Sequence, residues 1–252
     1  MKPRLEHGVA DGVATVVIRN PAKRNAMTIG MWRELPVLLD RLAADPAVRT
    51  LVLTGAGDTF CAGADIGALT GGDEESKGLA VAAEEALAAF PKPTLAAIRG
   101  SCVGGGCQLA ASCDLRFAEE DARFGITPAR LGIVYGASST RRLVALVGPA
   151  TAKYLLFSAE LIDAARALRT GLVDEVLPAG GLDKRVAEFT AVLAARSQLT
   201  QAAAKEFAAG PAEEDRIAYW TRQARDSGDR AEGVAAFLER RTPRFTWTPP
   251  TD

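Results

Sequence analysis

The sequence predicts an α/β protein in which short buried strands alternate with helices. Apolar runs such as Thr50–Gly55 and Thr94–Ile98 end at glycine-containing turns that lead toward helix-compatible segments. This order repeats along most of the chain and is typical of a parallel sheet covered by helices. Because 48% of the 252 residues are hydrophobic, the chain carries enough apolar surface for a sizeable core.

The predicted strands are apolar runs flanked by turns; they are a hairpin at 9–19 and single strands at 50–55, 94–98, 115–118 and 172–176. The predicted core helices span 29–43, 79–90, 107–112, 138–147, 149–158 and 182–195, with a short helix from Asp163. Asp11-Gly12 supplies the hairpin turn. The polar, glycine-rich stretch at 67–78 predicts a mobile flap beside a site.

The tail of the chain, from Ser197 onward, carries no strand signal. It contains helix-compatible segments separated at Gly210-Pro211 and Ser227-Gly228, and the last predicted helix spans 230–241. That last segment places several apolar residues on one face. We therefore expect the tail to dock on the core or on a partner.

The overall charge excludes some classes of partner. A formal net charge of −1 gives no electrostatic reason to expect nucleic acid or an anionic membrane as a ligand. No apolar stretch approaches the roughly 20 residues of a membrane span, and the first residues lack the apolar region of a signal peptide. A cytoplasmic protein is the resulting expectation.

Cysteine and histidine usage argues against a metal centre. The four cysteines, Cys61, Cys102, Cys107 and Cys113, form no C-x-x-C pair and sit among apolar residues, so we expect small buried fillers. His7 is the one histidine of the sequence, so a metal site with several histidine ligands is excluded. We expect it at the surface, without a function.

Three consecutive glycines, Gly104 to Gly106, lie between the 94–98 strand and the 107–112 helix. Such a turn lets another molecule approach the backbone closely, and free N–H groups at a helix start suit a phosphate or a developing oxyanion. A tight turn under a close helix–strand contact explains the glycines equally well.

A dehydrogenase nucleotide site is a weaker alternative for the same stretch. Gly100, Gly104 and Gly106 match the G-x-x-x-G-x-G spacing of short-chain dehydrogenases, but that fingerprint belongs to the first strand–turn–helix of a chain. The Tyr-x-x-x-Lys pair of those enzymes is also absent, since none of the three tyrosines has a lysine at that offset.

A polar loop at 20–28 carries two adjacent cations, Lys23 and Arg24. Positive charge on a loop suits a phosphate, although a solvated surface explains it as well.

Several short motifs together resemble the crotonase superfamily, also called the enoyl-CoA hydratase/isomerase family. They are Asn20-Pro21 with Asn25-Ala26, Phe60-Cys61-Ala62-Gly63-Ala64-Asp65-Ile66, Gly104-Gly105-Gly106, Cys113-Asp114, Phe124-Gly125, and a tail signature from Glu232 to Phe245. The resemblance covers nearly the whole chain. It implies a superhelix of ββα turns at 1–196, and a C-terminal helical region at 197–252 that serves oligomerisation into homotrimers or dimers of trimers. It also implies an acyl-CoA substrate, with coenzyme A as part of that substrate and no prosthetic group.

The family's site residues fall on named positions of this chain. The resemblance implies that the backbone N–H groups of Ala64 and Gly105 form an oxyanion hole for the thioester oxygen. Residues that would contact coenzyme A are Lys23, Arg24 and Ala26 at the nucleotide, and Ala62, Asp65 and Ile66 around adenine and pantetheine.

The chain departs from the family at its acid and base positions. Gln108 and Pro128 stand where hydratases carry two glutamates, and Gly136 stands where some isomerases carry an acid. Neither an amide nor a proline exchanges a proton near neutral pH, so the usual means of adding water is missing.

The stretch 127–135 resembles instead the corresponding stretch of methylmalonyl-CoA decarboxylase, in which the residue matching Tyr135 lies in the active site. That enzyme differs from this chain at Ala64 and Gln108, where it has a histidine and a glutamate. The resemblance implies decarboxylation of a 2-carboxyacyl-CoA, with Gln108 and Tyr135 as polar contacts of the reacting group. A plain buried tyrosine is the other interpretation of Tyr135.

Two further hypotheses stay open at this point. One is a non-catalytic acyl-CoA-binding protein on the same scaffold. The other is a hydratase or isomerase whose acid has moved elsewhere, such as to Glu84 or Glu85 on the helix after the flap.

Overall fold

The computed structural model describes residues 2–65, Gly67 and residues 73–249, apart from the side chains of 73–76. The strands are β1 Arg4–Ala10, β2 Val13–Arg19, β3 Thr50–Gly55, β4 Thr94–Ile98, β5 Ser101–Val103, β6 Leu115–Glu119, β7 Arg123–Gly125, β8 Ile162–Asp163 and β9 Glu175–Leu177. The helices are α1 Ile29–Ala44, α2 Asp73–Ala88, α3 Gly105–Ser112, α4 Ala137–Ser158, α5 Ala164–Thr170, α6 Leu182–Ala194, α7 Gln198–Ala208, α8 Glu214–Asp226 and α9 Asp229–Leu238.

The strands form two sheets. The larger has the order β1-β2-β3-β4-β6-β9, in which only the β1–β2 hairpin is antiparallel. The smaller has the order β5-β7-β8. Because parallel neighbours require a crossover connection, the helices between these strands cover the sheet faces.

Apolar packing on both faces of the larger sheet explains the composition of its central strands. β4 is buried along its whole length, as expected for a strand with helices on both sides. One face joins the main core beneath α1. On the other face, Phe117 of β6 meets Phe189 of α6 edge to face at 5.2 Å.

The predicted α/β class with a parallel sheet is confirmed, and most helices lie where the pattern predicts them. The predicted break between the 138–147 and 149–158 helices is present as a kink in α4, where Gly148 has φ 73°. His7 is exposed on β1, and all four cysteines are buried with free thiols. Among the described helices, none combines the length and apolar character needed to cross a bilayer.

Two predicted boundaries are wrong. The predicted flap at 67–78 overlaps α2, which already begins at Asp73, while residues 68–72 lie outside the described residues. The predicted 172–176 strand is shifted, since Leu172 and Val173 direct their N–H groups to the carbonyl of Ala167 and close the end of α5. Both side chains are buried in that turn, which explains their apolar character without a strand.

The three predicted helices after residue 197 are present as α7, α8 and α9. Lys205 of α7 ties this region to the core by donating to the carbonyl of Lys92 at 3.1 Å and to Asp114 at 2.8 Å. Trp220 and Trp247 pack together at a centroid distance of 6.0 Å. Oligomerisation through this region stays a prediction.

We predict that two Gly→Ala substitutions in helices have opposite effects on stability. A Cβ on Gly106 would lie 2.3 Å from the carbonyl oxygen of Cys61, so Gly106→Ala should lower the free energy of unfolding by about 1–3 kcal/mol or more. Gly78 of α2 has nothing within 4 Å of that position, so Gly78→Ala should raise it by about 0.5–1 kcal/mol. Urea unfolding followed by circular dichroism measures both, and a fully stable Gly106→Ala protein would contradict the close contact of α3.

Candidate functional site

The segment 61–65 lies between two other segments and makes backbone hydrogen bonds to both. On one side, Met27 donates to the carbonyl of Gly63 at 2.8 Å and accepts from Asp65 at 2.8 Å. On the other side, Cys61 donates to the carbonyl of Ser101 at 2.9 Å. Because successive N–H groups of extended chain point in opposite directions, the Ala64 N–H points away from Met27.

The start of α3 faces the N–H of Ala64. Gly104 precedes the helix with φ 55° and ψ −122°, and Gly105 is the first helical residue. The Ala64 nitrogen lies 3.6 Å from the position that a Cβ on Gly105 would occupy. Among the described residues, neither the Ala64 N–H nor the Gly105 N–H has a hydrogen-bond partner. These are two fixed donors beside a helix N-terminus, which is the arrangement that stabilises an oxyanion.

Close approach explains why glycine occupies position 105. A Cβ at that residue would lie 3.0 Å from Cζ2 of Trp32, whose ring is buried beneath the turn. The ring therefore supports the turn from below. Any side chain at 105 would have to displace the indole or move the donor.

The four predicted catalytic residues, Ala64, Gly105, Gln108 and Tyr135, line a single cavity. The rest of its wall is mostly apolar and includes Trp32, Ala62, Ala80, Val81, Pro128, Leu131, Ile133 and Val134. Lys77 and Thr127 also reach it, whereas no aspartate or glutamate of the described residues lines it. The structure thus brings together residues that are far apart in sequence.

Two positions at which the resemblance predicts an acid in the family, Pro128 and Gly136, lie on this same wall. Pro128 begins a short 3-10 turn, Pro128–Arg130, and Gly136 precedes α4. Neither residue offers a side-chain proton. The cavity wall there is apolar as a result.

A chain of hydrogen bonds runs from Gln108 into the protein. Gln108 donates through Nε2 to the Ser139 hydroxyl at 3.2 Å, and Ser139 donates to Oε2 of Glu84 at 2.6 Å. Glu84 is fully buried, and Arg142 approaches its Oε2 at 3.6 Å. Burial raises the pKa of Glu84 to about 7, although Ser139 and Arg142 favour the ionised form. Glu84 therefore reaches the cavity only through Ser139 and Gln108.

The other suggested acid, Glu85, is in a different environment. Its side chain is 49% exposed and pairs with Nη2 of Arg142 at 3.0 Å. Tyr135, by contrast, lies against the core. Burial raises the pKa of its phenol well above the usual range, so the phenol stays neutral and keeps its proton available for donation at physiological pH.

The predicted coenzyme A contacts surround one edge of the 61–65 segment. Lys23 and Asp65 form an ion pair at 2.7 Å, with the lysine side chain 53% exposed. Arg24 is exposed, and its backbone adopts the left-handed conformation with φ 48°. Ala26 is buried, and its carbonyl accepts a hydrogen bond from Nδ2 of Asn20, so it offers little surface to a nucleotide. Ile66 lies outside the described residues.

Asn25 holds this loop in place. Its Nδ2 donates to the carbonyls of Ala56 and Thr59 at 2.9 and 2.6 Å, and its Oδ1 accepts from the backbone N–H of Asn20 at 3.0 Å. A buried amide that is used at both ends fixes the loop as a unit. The exposed cations beside it are therefore displayed from a rigid base.

Sequence reasoning missed Trp32, Lys77, Val81 and Ser139 as parts of the site. Trp32 falls on the apolar face of α1, where it reads as an ordinary core residue. Ser139 carries no local signal, because its partners lie 31 and 55 residues away.

Comparison with known proteins identifies the family of this chain. The model of the enoyl-CoA hydratase/isomerase family matches residues 8–248. The chain belongs to this family. Both the predicted family and the predicted fold are therefore confirmed, and the family assignment supports an enzyme that acts on an acyl-CoA thioester.

Individual relatives match this chain over nearly their whole length. A 2,3-dehydroadipyl-CoA hydratase of Escherichia coli is 34% identical over 92% of this chain and 94% of its own. A crotonyl-CoA hydratase of Syntrophomonas wolfei is 34% identical over 92% and 94%. A crystal structure of an enoyl-CoA hydratase/isomerase family member superposes with a TM-score of 0.93 at 39% identity, covering 99% of both chains. The local resemblance to methylmalonyl-CoA decarboxylase stays a prediction.

We predict that Glu84→Gln stabilises the protein at alkaline pH. The raised pKa of Glu84 means that folding favours its protonated form, so its contribution to stability is full below the unfolded value of 4.5 and is lost as pH rises through about 7. Between about pH 5 and 8 the variant should therefore gain about 2–3 kcal/mol of unfolding free energy relative to the parent. Paired urea titrations at both pH values measure this, and an unchanged difference would contradict a buried, protonated Glu84.

Proposed function

We propose that this protein forms a thioester enolate from an acyl-CoA, with the backbone N–H groups of Ala64 and Gly105 holding the enolate oxygen. The observation that carries the proposal is this pair of donors, which have no partner among the described residues, at the wall of one mostly apolar cavity. Donors placed in advance stabilise developing charge without reorganisation, and one such donor is typically worth about 10²–10³ in kcat.

The coenzyme A part of the substrate would lie over the 20–28 loop. Arg24 and Lys23 present positive charge beside Ala62, which also lines the acyl cavity, so a ligand could extend from the loop into the cavity. The ion pair between Lys23 and Asp65 leaves Arg24 as the better contact for an anionic nucleotide.

We predict that Arg24→Glu weakens binding of acetyl-CoA by roughly 10- to 100-fold, since each charge-assisted contact is worth about 1.5–3 kcal/mol. Isothermal titration calorimetry measures the change. The matched control is Arg169→Glu on α5, an exposed arginine that should leave the affinity unchanged. Equal affinity of parent and Arg24→Glu would refute the placement of the nucleotide, and a parent that does not bind would refute the acyl-CoA ligand.

The specific reaction that we propose is decarboxylation of a short 2-carboxyacyl-CoA such as malonyl-CoA or methylmalonyl-CoA. Hydration and proton shuttling need an acid at the substrate, whereas the described cavity wall carries no carboxylate. Loss of CO₂ needs only a group that accepts the electron pair of the broken bond. The bond between Cα and the carboxylate breaks, its electrons pass to the thioester oxygen in the hole, CO₂ leaves, and Cα then takes up one proton.

The cavity supports this step in two further ways. Its apolar walls strip water from the substrate carboxylate, which favours the neutral product CO₂. The neutral phenol of Tyr135 would donate a hydrogen bond to that carboxylate and hold the breaking bond perpendicular to the thioester plane. Gln108 would contact the same group.

We predict that Tyr135→Phe lowers kcat for malonyl-CoA decarboxylation about tenfold or more with little change in KM, as expected for an interaction at the reacting group. Mass spectrometry of acetyl-CoA formation measures the rate. Tyr154→Phe on α4, whose phenol instead contacts Glu160, is the matched control and should keep the parent rate.

Three outcomes would count against this reaction. No product from malonyl-CoA or methylmalonyl-CoA with the parent would refute it and, if acyl-CoA still binds, would favour the non-catalytic alternative. An unaffected rate in Tyr135→Phe would remove the tyrosine from the mechanism. Efficient hydration of crotonyl-CoA would show that an acid acts in the cavity after all.

We further propose that the region 197–252 serves self-association into a homotrimer or a dimer of trimers. Helix α9 supports this proposal because its apolar side chains are exposed: Phe237 by 82%, Leu238 by 74% and Val234 by 55%. A second copy of the chain would remove this surface from water.

A further inference from the structure

We propose that Glu84 and Ser139 are positioning residues for Gln108, and that the protonation state of Glu84 decides which end of the Gln108 amide faces the acyl group. The inference rests on the hydrogen-bond chain that joins the three side chains. Its significance for catalysis rests on the proposed function. Its structural part is testable on the protein without any substrate.

When Glu84 is ionised, the direction of both hydrogen bonds in this chain is fixed. An ionised carboxylate only accepts hydrogen bonds, so Ser139 must give its one hydroxyl proton to Glu84. The Ser139 oxygen then accepts from Nε2 of Gln108, as the structure has it. No described residue donates to Oε1 of Gln108, and this side chain lines the cavity. Ionised Glu84 therefore leaves the amide oxygen as the end available to a substrate.

Protonation of Glu84 reverses the direction of the chain. Oε1 of Glu84 is buried without a partner among the described residues, whereas Oε2 lies 2.6 Å from Ser139. The added proton is therefore best placed on Oε2, where Ser139 can accept it. Ser139 then donates its own proton to Gln108, which accepts through Oε1 after the amide turns by about 180°. The NH₂ group now faces the cavity.

The surroundings place this change near neutral pH. Among the described side chains, the charged groups that act on Glu84 are Arg142 and Glu85, and the neutral phenol of Tyr135 lies nearby. Burial outweighs the attraction of Arg142, and the pKa of Glu84 rises to about 7. The NH₂ arrangement therefore dominates below about pH 7 and the oxygen arrangement above it.

The two arrangements suit different acyl groups. An NH₂ group donates to a substrate carboxylate, whereas an amide oxygen in the same place repels it. Productive binding of a 2-carboxyacyl-CoA should therefore fall as pH rises through the pKa of Glu84. Acetyl-CoA, which has no such carboxylate, should bind independently of this change.

The structural test is nuclear magnetic resonance of the Gln108 side-chain NH₂ in deuterated, glutamine-labelled protein without substrate. We expect its signals to titrate in the parent with a midpoint at about pH 7, the pKa of Glu84. The signal is assigned by its loss in Gln108→Met. Titration should vanish in Glu84→Gln, which keeps the volume but not the ionisation, and in Ser139→Ala. Glu85→Gln, the adjacent half-exposed residue, is the control that keeps the titration.

Two results would overturn the proposal: a Gln108 amide that does not titrate in the parent, or one whose titration persists in Glu84→Gln. Ser139→Thr, which keeps the hydroxyl, should retain the titration and so separate loss of the relay from loss of packing. None of these outcomes depends on whether the protein decarboxylates anything.

The catalytic part is tested by the pH profile of kcat/KM for malonyl-CoA. In the parent it should fall about tenfold from roughly pH 6 to 8, and in Glu84→Gln it should be flat over that range. A profile that is the same in both proteins would restrict Glu84 to a structural role. Absence of turnover in the parent would refute the decarboxylation proposal while leaving the result of the magnetic resonance test intact.

Discussion

The segment 61–65 is hydrogen-bonded through its backbone on two sides, and the rest of the site depends on this constraint. Met27 holds one edge and Ser101 the other, so the direction of each N–H is set by the ladder and not by a side chain. The N–H of Ala64 is the one that remains toward α3. Asn25 donates to the carbonyls of Ala56 and Thr59, so it ties the loop before Met27 to the chain that leads into the 61–65 segment.

The second donor depends on how closely α3 approaches this ladder. Gly106 packs so tightly on the carbonyl of Cys61 that no Cβ fits between them, and Gly105 rests on the ring of Trp32. The glycines thus bring the positive end of a helix against the 61–65 segment, which combines a free N–H with the favourable potential of the helix N-terminus. A tight turn and a donor site, which were alternatives from sequence, are here the same structure.

The chemistry of the cavity follows from the absence of a carboxylate on the described part of its wall. Among the described residues the nearest carboxyl that is linked to it, Glu84, lies behind Gln108 and Ser139, where burial keeps the proton on it up to about neutral pH. The described wall offers two backbone donors, the amide of Gln108, the phenol of Tyr135, the hydroxyl of Thr127 and the cation of Lys77 within a mostly apolar surface. Under the proposed function such a site favours reactions in which negative charge moves onto the thioester oxygen, because the N–H groups of Ala64 and Gly105 are placed in advance for that oxygen.

The sequence by itself determined the α/β class, most helices and strands and the family, and it pointed to Ala64 and Gly105 as the candidate oxyanion donors. These features are local: apolar runs specify buried strands, and glycines at 63 and 104 permit positive φ where the chain must turn. Tertiary structure decided the rest. Leu172 and Val173 are apolar because they close α5 inside the core, although the same pattern predicts a strand. The link from Gln108 through Ser139 to Glu84 joins α3, α4 and α2 across 31 and 55 residues. Only the packing of three helices brings these side chains within hydrogen-bond distance, since no local pattern encodes the distance between groups so far apart in the chain.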